Sequence, residues 1–513
     1  MEAKVLSATA PFADWVRALD ELLSPVLRQK ILARIVPTRE EIGRQNQVTS
    51  SLVEALGRRA KAMGLQYSFI EPQGSTGRKQ TQLRGAADID LFVGLRPGDY
   101  SDILALQTKE RHQSLDDLLN RLVETWFTPA AKDLRATNVR KTYSQHPFLS
   151  LVMKGLDVDI IGCFDIPANE LANTGPVTAV DRTVHHTRYI VANLNDRMRE
   201  DVRILKSFVR TSHAYGDIAA LGKMGFTGYS LELAVIMTGG LDSAIAAIRD
   251  LNEAPLDPMQ RSIDTLHAIA QFKDDYVFII DPTDMRRNVA SSFTRRSCLW
   301  LSRRINELIE KAQGGKRDLM EFFIERPIPV EPLPERAASH ALAFEFVSDE
   351  SVHYTVLRDK LYRIAAKIES ELEREKNGER RFGKVLTEVY FEGTRFSLGI
   401  LVERPEIPAM YPRRGPSTSL DGPCVEFRNA HPDAYEKDGH LWVDEQRQWT
   451  SASDLSRAII EEHRVRGLEP SSSLTDVSRR VLYILSTYVM PLETEFSLEN
   501  EEEFKRANAK PSQ

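Results

Sequence analysis

The stretch from residue 74 to residue 93 constrains the fold of this chain most, because it joins a glycine–serine turn to paired acidic residues on an apolar strand. The turn spans Gly74–Arg78, and Asp88 and Asp90 lead into the apolar run 91–93. Backbone N–H groups and a serine hydroxyl at such a turn suit a phosphate. Carboxylates at i and i+2 of a strand share one face and repel each other unless a hard divalent cation lies between them. The pattern predicts a metal-dependent nucleotidyl-transfer site; the alternative is a polar turn leading into an ordinary strand.

A third carboxylate is needed if two metal ions are to hold a triphosphate and activate an attacking hydroxyl. The segment 156–161 supplies Asp157 and Asp159 on one face of a second strand. We predict that Asp159 is the third ligand and Asp157 an outer residue. The alternative for Asp157 is an exposed strand position with no role.

With these residues in place, the chain resembles the class I, archaeal-type CCA-adding enzymes, which are tRNA nucleotidyltransferases of the polymerase-β-like superfamily. The resemblance runs in order from about residue 30 to about residue 490, and its later motifs make it specific. The segments that match the family are 74–76, 88–90, 143–147, 158–161, 181–183, 186–187, 200–206, 215–216, 225–229, 281–282, 287–290, 413–416 and 439–442. Two features depart from the family: the first carboxylate, often Glu, is Asp88 here, and the chain is longer than compact members.

The resemblance implies an α+β fold with a polymerase-β-like nucleotidyltransferase head, a helical neck, and α+β body and tail domains. The predicted divisions are a catalytic head over 1–185, a nucleotide-binding neck over 186–326, a tRNA-binding body and tail over 335–490, and a charged C-terminal tail over 491–513. Four prolines between 327 and 334 predict a linker.

The neck contributes a predicted phosphate grip. Arg203, Lys206 and Arg210 fall at i, i+3 and i+7, on one helix face. The opposing side is predicted to be buried and carries Val202, Leu205, Phe208 and Val209. Facing the Gly-Ser turn, such a cationic stripe would hold β and γ phosphates.

The resemblance assigns nucleotide contacts to Gly74, Ser75, Arg78, His186, Lys206, Tyr215 and Arg287. Arg287 is predicted to read the incoming base, since a planar guanidinium presents fixed N–H donors. The alternatives are a surface lysine for Lys206, a helix-end aromatic for Tyr215 and a satisfied polar residue for His186.

Composition predicts a soluble, cytoplasmic enzyme without a membrane segment. The chain has 513 residues, of which 42% are apolar, with no run of 18 apolar residues. Its start lacks the apolar core of a signal peptide. The net charge of −6 does not itself indicate nucleic-acid binding, although paired Lys and Arg residues recur along the chain. The three isolated cysteines form no CxxC pair and suggest no zinc site.

The predicted function is Mg²⁺-dependent addition of CCA to tRNA 3′ ends without a nucleic-acid template. The predicted metal ligands and catalytic residues are Asp88, Asp90 and Asp159. The predicted partners are tRNA, through its acceptor stem and 3′ end, and CTP and ATP; a homodimer is an open alternative to a monomer. Two rival functions remain: an enzyme of the same fold that makes a second-messenger nucleotide or a poly(A)-type tail, and a non-catalytic RNA-binding protein.

Hydrophobic periodicity predicts the elements around these motifs. In the first part of the chain it predicts helices over 12–35, 38–63 and 113–127, a strand over 87–94, a hairpin of 148–153 with 156–163 turning at Lys154-Gly155, and mostly helix over 197–311. In the second part it predicts a helix marked by residues 354–372, a hairpin of 385–391 with 396–402, a strand over 441–449, a helix over 455–465 capped from Ser451, and a last helix marked by residues 477–488.

Overall fold

A computed structural model describes residues 23–86, 88–143, 146–313, 319–375, 378 and 380–498. The residues it describes form two compact units. The first contains residues up to Arg326 except 220–223, and the second contains 220–223 and residues from Pro327 onward. Residues 327–334 have neither helix nor strand, as expected for a segment with four prolines.

The first unit combines helices with one large and one small sheet. Its described helices are α1 (Pro25–Ile35), α2 (Arg39–Met63), α3 (Ser101–Leu104), α4 (Thr108–Leu122), α5 (Thr128–Asp133), α6 (Ala168–Thr174), α7 (Thr183–Asn193), α8 (Asp196–Thr211), α9 (Gly228–Thr238), α10 (Leu241–Arg249), α11 (Ile263–His267) and α12 (Arg295–Gln313). Its strands are β1 (Phe69–Pro72), β2 (Ile89–Leu95), β3 (Thr137–Tyr143), β4 (Pro147–Met153), β5 (Leu156–Phe164), β6 (Ile280–Asp281) and β7 (Asp284–Asn288).

A five-stranded mixed sheet carries the predicted carboxylates. Its order is β1-β2-β5-β4-β3; β2 and β5 run parallel, and the other pairs run antiparallel. The β4–β5 hairpin turns at Lys154 and Gly155, as predicted, and both residues have a positive φ, as a two-residue hairpin turn favours. The register pairs Asp90 of β2 with Asp159 of β5, so the two carboxylates leave adjacent strands at the same level.

Helices α2 and α4 pack their apolar faces on this sheet. Leu52 and Leu56 of α2 and Leu119 of α4 are buried with the apolar residues of β2 and β5. Helix α2 begins with a capping box between Thr38 and Glu41 and ends at Gly64, whose φ of 68° suits a helix C-cap. These bounds confirm the predicted helix over 38–63.

The other predicted helices of this unit differ at their ends. Helix α4 begins earlier than predicted and continues as a π-helical turn, Val123–Phe127. The described part of the predicted helix over 12–35 starts at Pro25, and residues 12–22 lie outside the described residues.

The second half of the first unit is mostly helical, as predicted. Helix α8 is capped by Asn195 and buries Val202, Leu205, Phe208 and Val209, the face that its sequence predicts. The short antiparallel hairpin β6–β7 interrupts the helices and was not predicted from periodicity.

The second unit contains two smaller sheets with helices. Its described helices are α13 (Glu335–Ala338), α14 (Tyr354–Glu373), α15 (Asp421–Ala430), α16 (Ala452–Glu462) and α17 (Asp476–Tyr483). Its strands are β8 (Ala341–Ser348), β9 (Val385–Glu392), β10 (Arg395–Val402), β11 (Met410–Ser417), β12 (Tyr435–Lys437), β13 (His440–Gln446) and β14 (Leu468–Pro470).

The sheet β14-β8-β10-β9 holds the core of the second unit. Helix α14 buries Leu357, Leu361 and Ile368 there, and the β9–β10 hairpin turns at Gly393, so both predictions are confirmed. Helix α16 starts at the Ser451 cap, three residues before the predicted start. Helix α17 continues as a π-helical turn, Ile484–Val489.

The second sheet, β11-β13-β12, was only partly predicted. Strand β13 ends at Gln446, short of the predicted end at 449, while β11 and α15 were not predicted. Two prolines in β11 and a register shift between Arg414 and Ser417 explain why its pattern does not read as a strand.

No single helix among the described residues is long and apolar enough to cross a membrane. The sharply bent pair α9–α10 reaches that composition, and most of its side chains are buried inside the first unit.

Candidate active site

Asp88, Asp90 and Asp159 form a concentration of negative charge at one end of the β2–β5 pair. Burial and the neighbouring Asp159 raise the pKa of Asp90 to about 6. Burial and Asp157 raise the pKa of Asp88, and burial raises that of Asp159, although a 2.6 Å hydrogen bond from Ser150 partly offsets it. Such upward shifts mean that the ionised carboxylates lack enough positive charge around them.

A hard divalent cation fits the chemistry of these carboxylates. Carboxylate oxygens are the ligands that Mg²⁺ and similar ions prefer, and a cation would offset the burial and the repulsion that raise the three pKa values. In the present side-chain conformations, no group of three or more acidic, His or Cys side chains among the described residues is close enough to hold a metal ion. One or two carboxylates, together with substrate phosphates, are enough to hold Mg²⁺.

The Gly-Ser turn lies directly against the carboxylates. A Cβ atom at Gly74 would overlap Asp90 Oδ2, and Gly74 has a φ of 67°, so this position requires glycine. The backbone N–H of Gln73 donates to Asp90 O at 2.7 Å, and the Thr76 hydroxyl donates to Asp88 O at 2.8 Å. The turn that is predicted to receive phosphate is thus tied to the strand that carries the predicted metal ligands.

Arg78 lies at the outer side of this turn. Its side chain is 58% exposed and forms an ion pair with Glu71 of β1 at 3.1 Å. This described ion pair links Arg78 to β1 and not to another residue of the predicted site.

Lys206 lies in a buried cluster with the loop that follows the Gly-Ser turn. Its Nζ donates to Thr81 Oγ1 and to Glu232 Oε1, both at 2.9 Å, and to the Thr81 carbonyl at 3.2 Å. Lys79, on the same loop as Thr81, pairs with Glu232 at 3.0 Å. Burial alone would raise the pKa of Glu232, but Lys206 and Lys79 lower it to about 2.

The predicted cationic stripe faces the loop that follows the Gly-Ser turn. Arg203 donates to the carbonyls of Gln80 and Gln82, and Lys206 to that of Thr81, so the stripe holds the backbone of residues 80–82. Arg210 pairs with Glu325 at 2.9 Å and is close enough to Asp88 to lower its pKa.

Tyr215 meets Lys206 over Gly228. A Cβ at Gly228 would lie 2.9 Å from the Tyr215 hydroxyl and 3.3 Å from Lys206 Nζ. Burial and Glu232 raise the pKa of Tyr215 to about 12. The structure therefore brings two of the predicted nucleotide contacts together.

His186 and Arg287 form a second group, on α7 and β7. His186 Nε2 and Arg287 Nη1 each lie 2.9 Å from Asp281 Oδ2, and 3.4 Å separates the two nitrogens. The His186 ring stacks on Tyr229 with 4.2 Å between centroids. Burial lowers the pKa of His186, although Asp281 opposes this shift.

Tyr229 links the two groups. Lys79 Nζ lies 5.3 Å from the centroid of the Tyr229 ring on which His186 stacks, a distance suited to a cation–π contact. The buried cluster of Lys79, Lys206 and Glu232 is therefore continuous with the His186–Arg287 group.

The roles of Glu232, Lys79 and Ser150 were not predicted from the sequence. Glu232 carries a usable signal, because it is an isolated acid within the apolar run 231–237, where a buried charge requires a partner. Lys79 directly follows Arg78, a pattern typical of solvent-exposed charges, so the sequence does not indicate its burial.

Comparison with known proteins shows similarity to tRNA nucleotidyltransferases. A family described as "tRNA nucleotidyltransferase, second domain" matches residues 200–315. The CCA-adding enzyme of Sulfurisphaera tokodaii is 24% identical over 84% of this chain and 91% of its own. That of Methanothermobacter thermautotrophicus is 30% identical over 52% of each chain. A solved cytoplasmic RNA terminal U-transferase matches with a TM-score of 0.43 and 12% identity, covering 59% of this chain and 98% of its own. Over most of its length the chain is therefore similar to archaeal CCA-adding enzymes, and residues 200–315 match a tRNA nucleotidyltransferase domain, as the motifs predict.

Proposed function

We propose that this protein adds C, C and A to the 3′ end of tRNA, using CTP and ATP, without a nucleic-acid template. The observation that carries the proposal is the Gly74–Arg78 turn built against Asp88, Asp90 and Asp159, in a chain similar over 84% of its length to a CCA-adding enzyme. The reaction joins the RNA 3′-hydroxyl oxygen to the α-phosphorus of the nucleotide and releases pyrophosphate.

The carboxylates are the proposed metal ligands, and Mg²⁺ is the proposed metal. When bound, the metal would stabilise charge on the phosphates and favour ionisation of the attacking hydroxyl. Asp90 and Asp159 lie at one level of the sheet, and the negative charges of Asp88 and Asp159 raise the pKa of Asp90, so a cation among the three carboxylates would be favourable.

The proposed triphosphate contacts come from the turn and the neck. Ser75 and the N–H groups beside Gly74 offer donors to phosphate, and Arg78 and Arg210 add charge at the edge. Lys206 and Tyr215, with His186, are the proposed contacts to the β and γ phosphates. Because all three described hydrogen bonds of Lys206 go to Thr81 and Glu232, it acts on phosphate directly only after one of them breaks.

The proposed base contact is Arg287, which lies beside His186. The Arg287 side chain is 36% exposed, so its guanidinium can meet a ligand. Residues 1–185 are the proposed catalytic head, 186–326 the nucleotide-binding neck, and 335–490 the tRNA-binding part, followed by the charged tail 491–513.

The test is an addition assay with purified protein, Mg²⁺, labelled CTP or ATP, and tRNA lacking its terminus. The proposal predicts addition of two C residues and one A, and loss of addition with EDTA. Joining of nucleotides to each other, or long A tails, would indicate another nucleotidyltransferase of this fold. Binding of tRNA without any addition would indicate a non-catalytic RNA-binding protein. Mass photometry of the same sample would decide between a monomer and a homodimer.

A further inference from the structure

Asp281 is a buried carboxylate whose two oxygens have different partners. Oδ1 accepts hydrogen bonds from the Tyr229 hydroxyl at 2.9 Å, the Thr283 backbone N–H at 2.9 Å and the Thr283 hydroxyl at 2.7 Å. Oδ2 lies 2.9 Å from both His186 Nε2 and Arg287 Nη1. The Asp281 side chain is completely shielded from solvent. Oδ1 therefore stabilises the β6–β7 turn, and Oδ2 contacts the two residues, His186 and Arg287, that we propose contact the nucleotide.

The described contacts of Arg287 use one of its three guanidinium nitrogens, so the other two can meet a ligand. The described contacts of Arg287, to Asp281 and to His186, both use Nη1. Because the guanidinium is planar and rigid, fixing Nη1 also fixes the directions of Nη2 and Nε. The exposed part of the side chain thus points in a direction that Asp281 sets.

His186 is fixed from two sides by the same carboxylate. Its Nε2 faces Oδ2, and its ring stacks on Tyr229, whose hydroxyl donates to Oδ1. An Nε2–H that donates to the carboxylate leaves Nδ1 of the neutral ring as an acceptor. The pair then presents donors from Arg287 and an acceptor from His186.

We propose that Asp281 is a positioning residue that holds His186 and Arg287 in one fixed arrangement for choosing between CTP and ATP. This inference rests on the proposed function of the same site. Asp281 acts through its two neighbours and does not itself touch the nucleotide.

Asp281→Asn isolates this role because the amide oxygen can still serve the three donors at Oδ1. The new NH₂ group, in place of Oδ2, faces two donors and cannot accept from either. We expect the Kd for CTP and for ATP to rise about tenfold to a hundredfold, as for loss of a charged hydrogen bond, and the choice between CTP and ATP to weaken.

Asp284→Asn is the matched control. Asp284 lies on the same hairpin, is buried and pairs with Arg182 at 2.9 Å, but it contacts neither His186 nor Arg287 in the described structure. We expect this variant to lose a similar amount of thermal stability and to keep its nucleotide affinity and choice. Equal nucleotide affinities and equal CTP/ATP choice in the two variants would overturn the proposal.

A double-mutant cycle measures the coupling between Asp281 and Arg287, which a purely structural role of Asp281 would not produce. If Asp281 acts through Arg287, Asp281→Asn should add little to the loss of nucleotide choice in Arg287→Ala. Additive losses would overturn the proposal. If Asp281→Asn yields no folded protein, Arg287→Lys tests the same geometry, since lysine keeps the charge but not the fork. We expect it to lose nucleotide choice at an unchanged unfolding temperature, and unchanged choice would contradict the inference.

Nucleotide affinity is measured calorimetrically with CTP and ATP in the absence of tRNA. A wild-type protein that binds both nucleotides but adds none to tRNA would refute the proposed function. The affinity comparison between Asp281→Asn and Asp284→Asn would still decide the role of Asp281.

Discussion

At the scale of single residues, burial in the folded protein disfavours the ionised form of the candidate-site carboxylates. Asp90 is buried beside Asp159, and its pKa of about 6 lies well above the ordinary value of 3.8. A raised carboxyl pKa means that the folded state binds the proton more tightly than the unfolded state does. The contribution of Asp90 to stability is therefore fully present below about pH 4 and is lost as the pH rises through about 6, by about 3 kcal/mol for a shift of this size.

Asp90→Asn should therefore abolish nucleotide addition and stabilise the metal-free protein at pH 7. The substitution removes both a proposed metal ligand and the charge that disfavours folding. Urea unfolding in EDTA should show the gain, of up to about 3 kcal/mol. Added Mg²⁺ should raise the unfolding temperature of the wild type more than that of the variant.

Asp157→Asn is the control, because Asp157 shares the strand but is the predicted outer residue. It should keep most of its turnover, whereas Asp88→Asn and Asp159→Asn should lose theirs. Near-normal addition by Asp88→Asn, Asp90→Asn or Asp159→Asn would show that the metal ligands are assigned wrongly.

Arg287→Ala should raise KM for the nucleotide or blur the choice between CTP and ATP. Loss of one charged hydrogen bond corresponds to about 1.5–3 kcal/mol, or roughly tenfold to a hundredfold. Some addition should survive, since the carboxylates are unchanged. Steady-state kinetics on tRNAs ending before the first C, the second C and the A measure this, with Arg286→Ala as the neighbouring control. Wild-type efficiency and fidelity at all three positions would rule Arg287 out as the base reader.

At the scale of elements, helix α8 shows what a pattern can and cannot reveal. Its apolar face and its cationic stripe were both readable from spacing, because helix periodicity fixes which residues share a side. The partner of Lys206 was not readable, since Glu232 lies on α9 and only the tertiary fold brings the two helices together. The register of Asp90 with Asp159 depends in the same way on a parallel pairing between distant strands.

The β6–β7 hairpin shows the same limit at a smaller size. Its motif was recognised by resemblance, but the strands are too short for a periodic pattern. The role of Asp281 follows from the bonds of each oxygen, which the sequence does not specify.

Glu232→Gln should be strongly destabilising because it leaves Lys79 and Lys206 buried with their shared charge partner neutralised. Removing one partner of a buried ion pair typically costs about 3–5 kcal/mol. The pKa of Glu232 is lowered to about 2, so its stabilising effect is present above pH 4.5 and is lost as the pH falls toward 2. Urea unfolding at pH 7 measures the loss, and Glu124→Gln, at an exposed salt bridge with Lys141, serves as control. Equal stability of the two variants would contradict the central position given to Glu232.

At the scale of the whole molecule, the two units suggest a division of labour. All the proposed catalytic and nucleotide contacts lie in the first unit, whereas the second carries its own core and sheets. Removal of residues 335–513 should therefore weaken tRNA binding more than CTP binding. Filter binding and calorimetry on the truncated and full chains compare the two affinities, and a truncated protein that binds tRNA like the full chain would contradict this division. Binding of tRNA by the full chain should also weaken steeply with salt, since phosphate contacts release counterions.

The most direct test of the account is the addition reaction itself. Purified full-length protein is given Mg²⁺ and labelled CTP and ATP, with tRNA substrates that end before the first C, the second C and the A. We expect C on the first two substrates, A on the third and no addition beyond it, with Asp88→Asn inactive on all three. Addition in any other order, continued tailing, or unchanged addition by Asp88→Asn would contradict it.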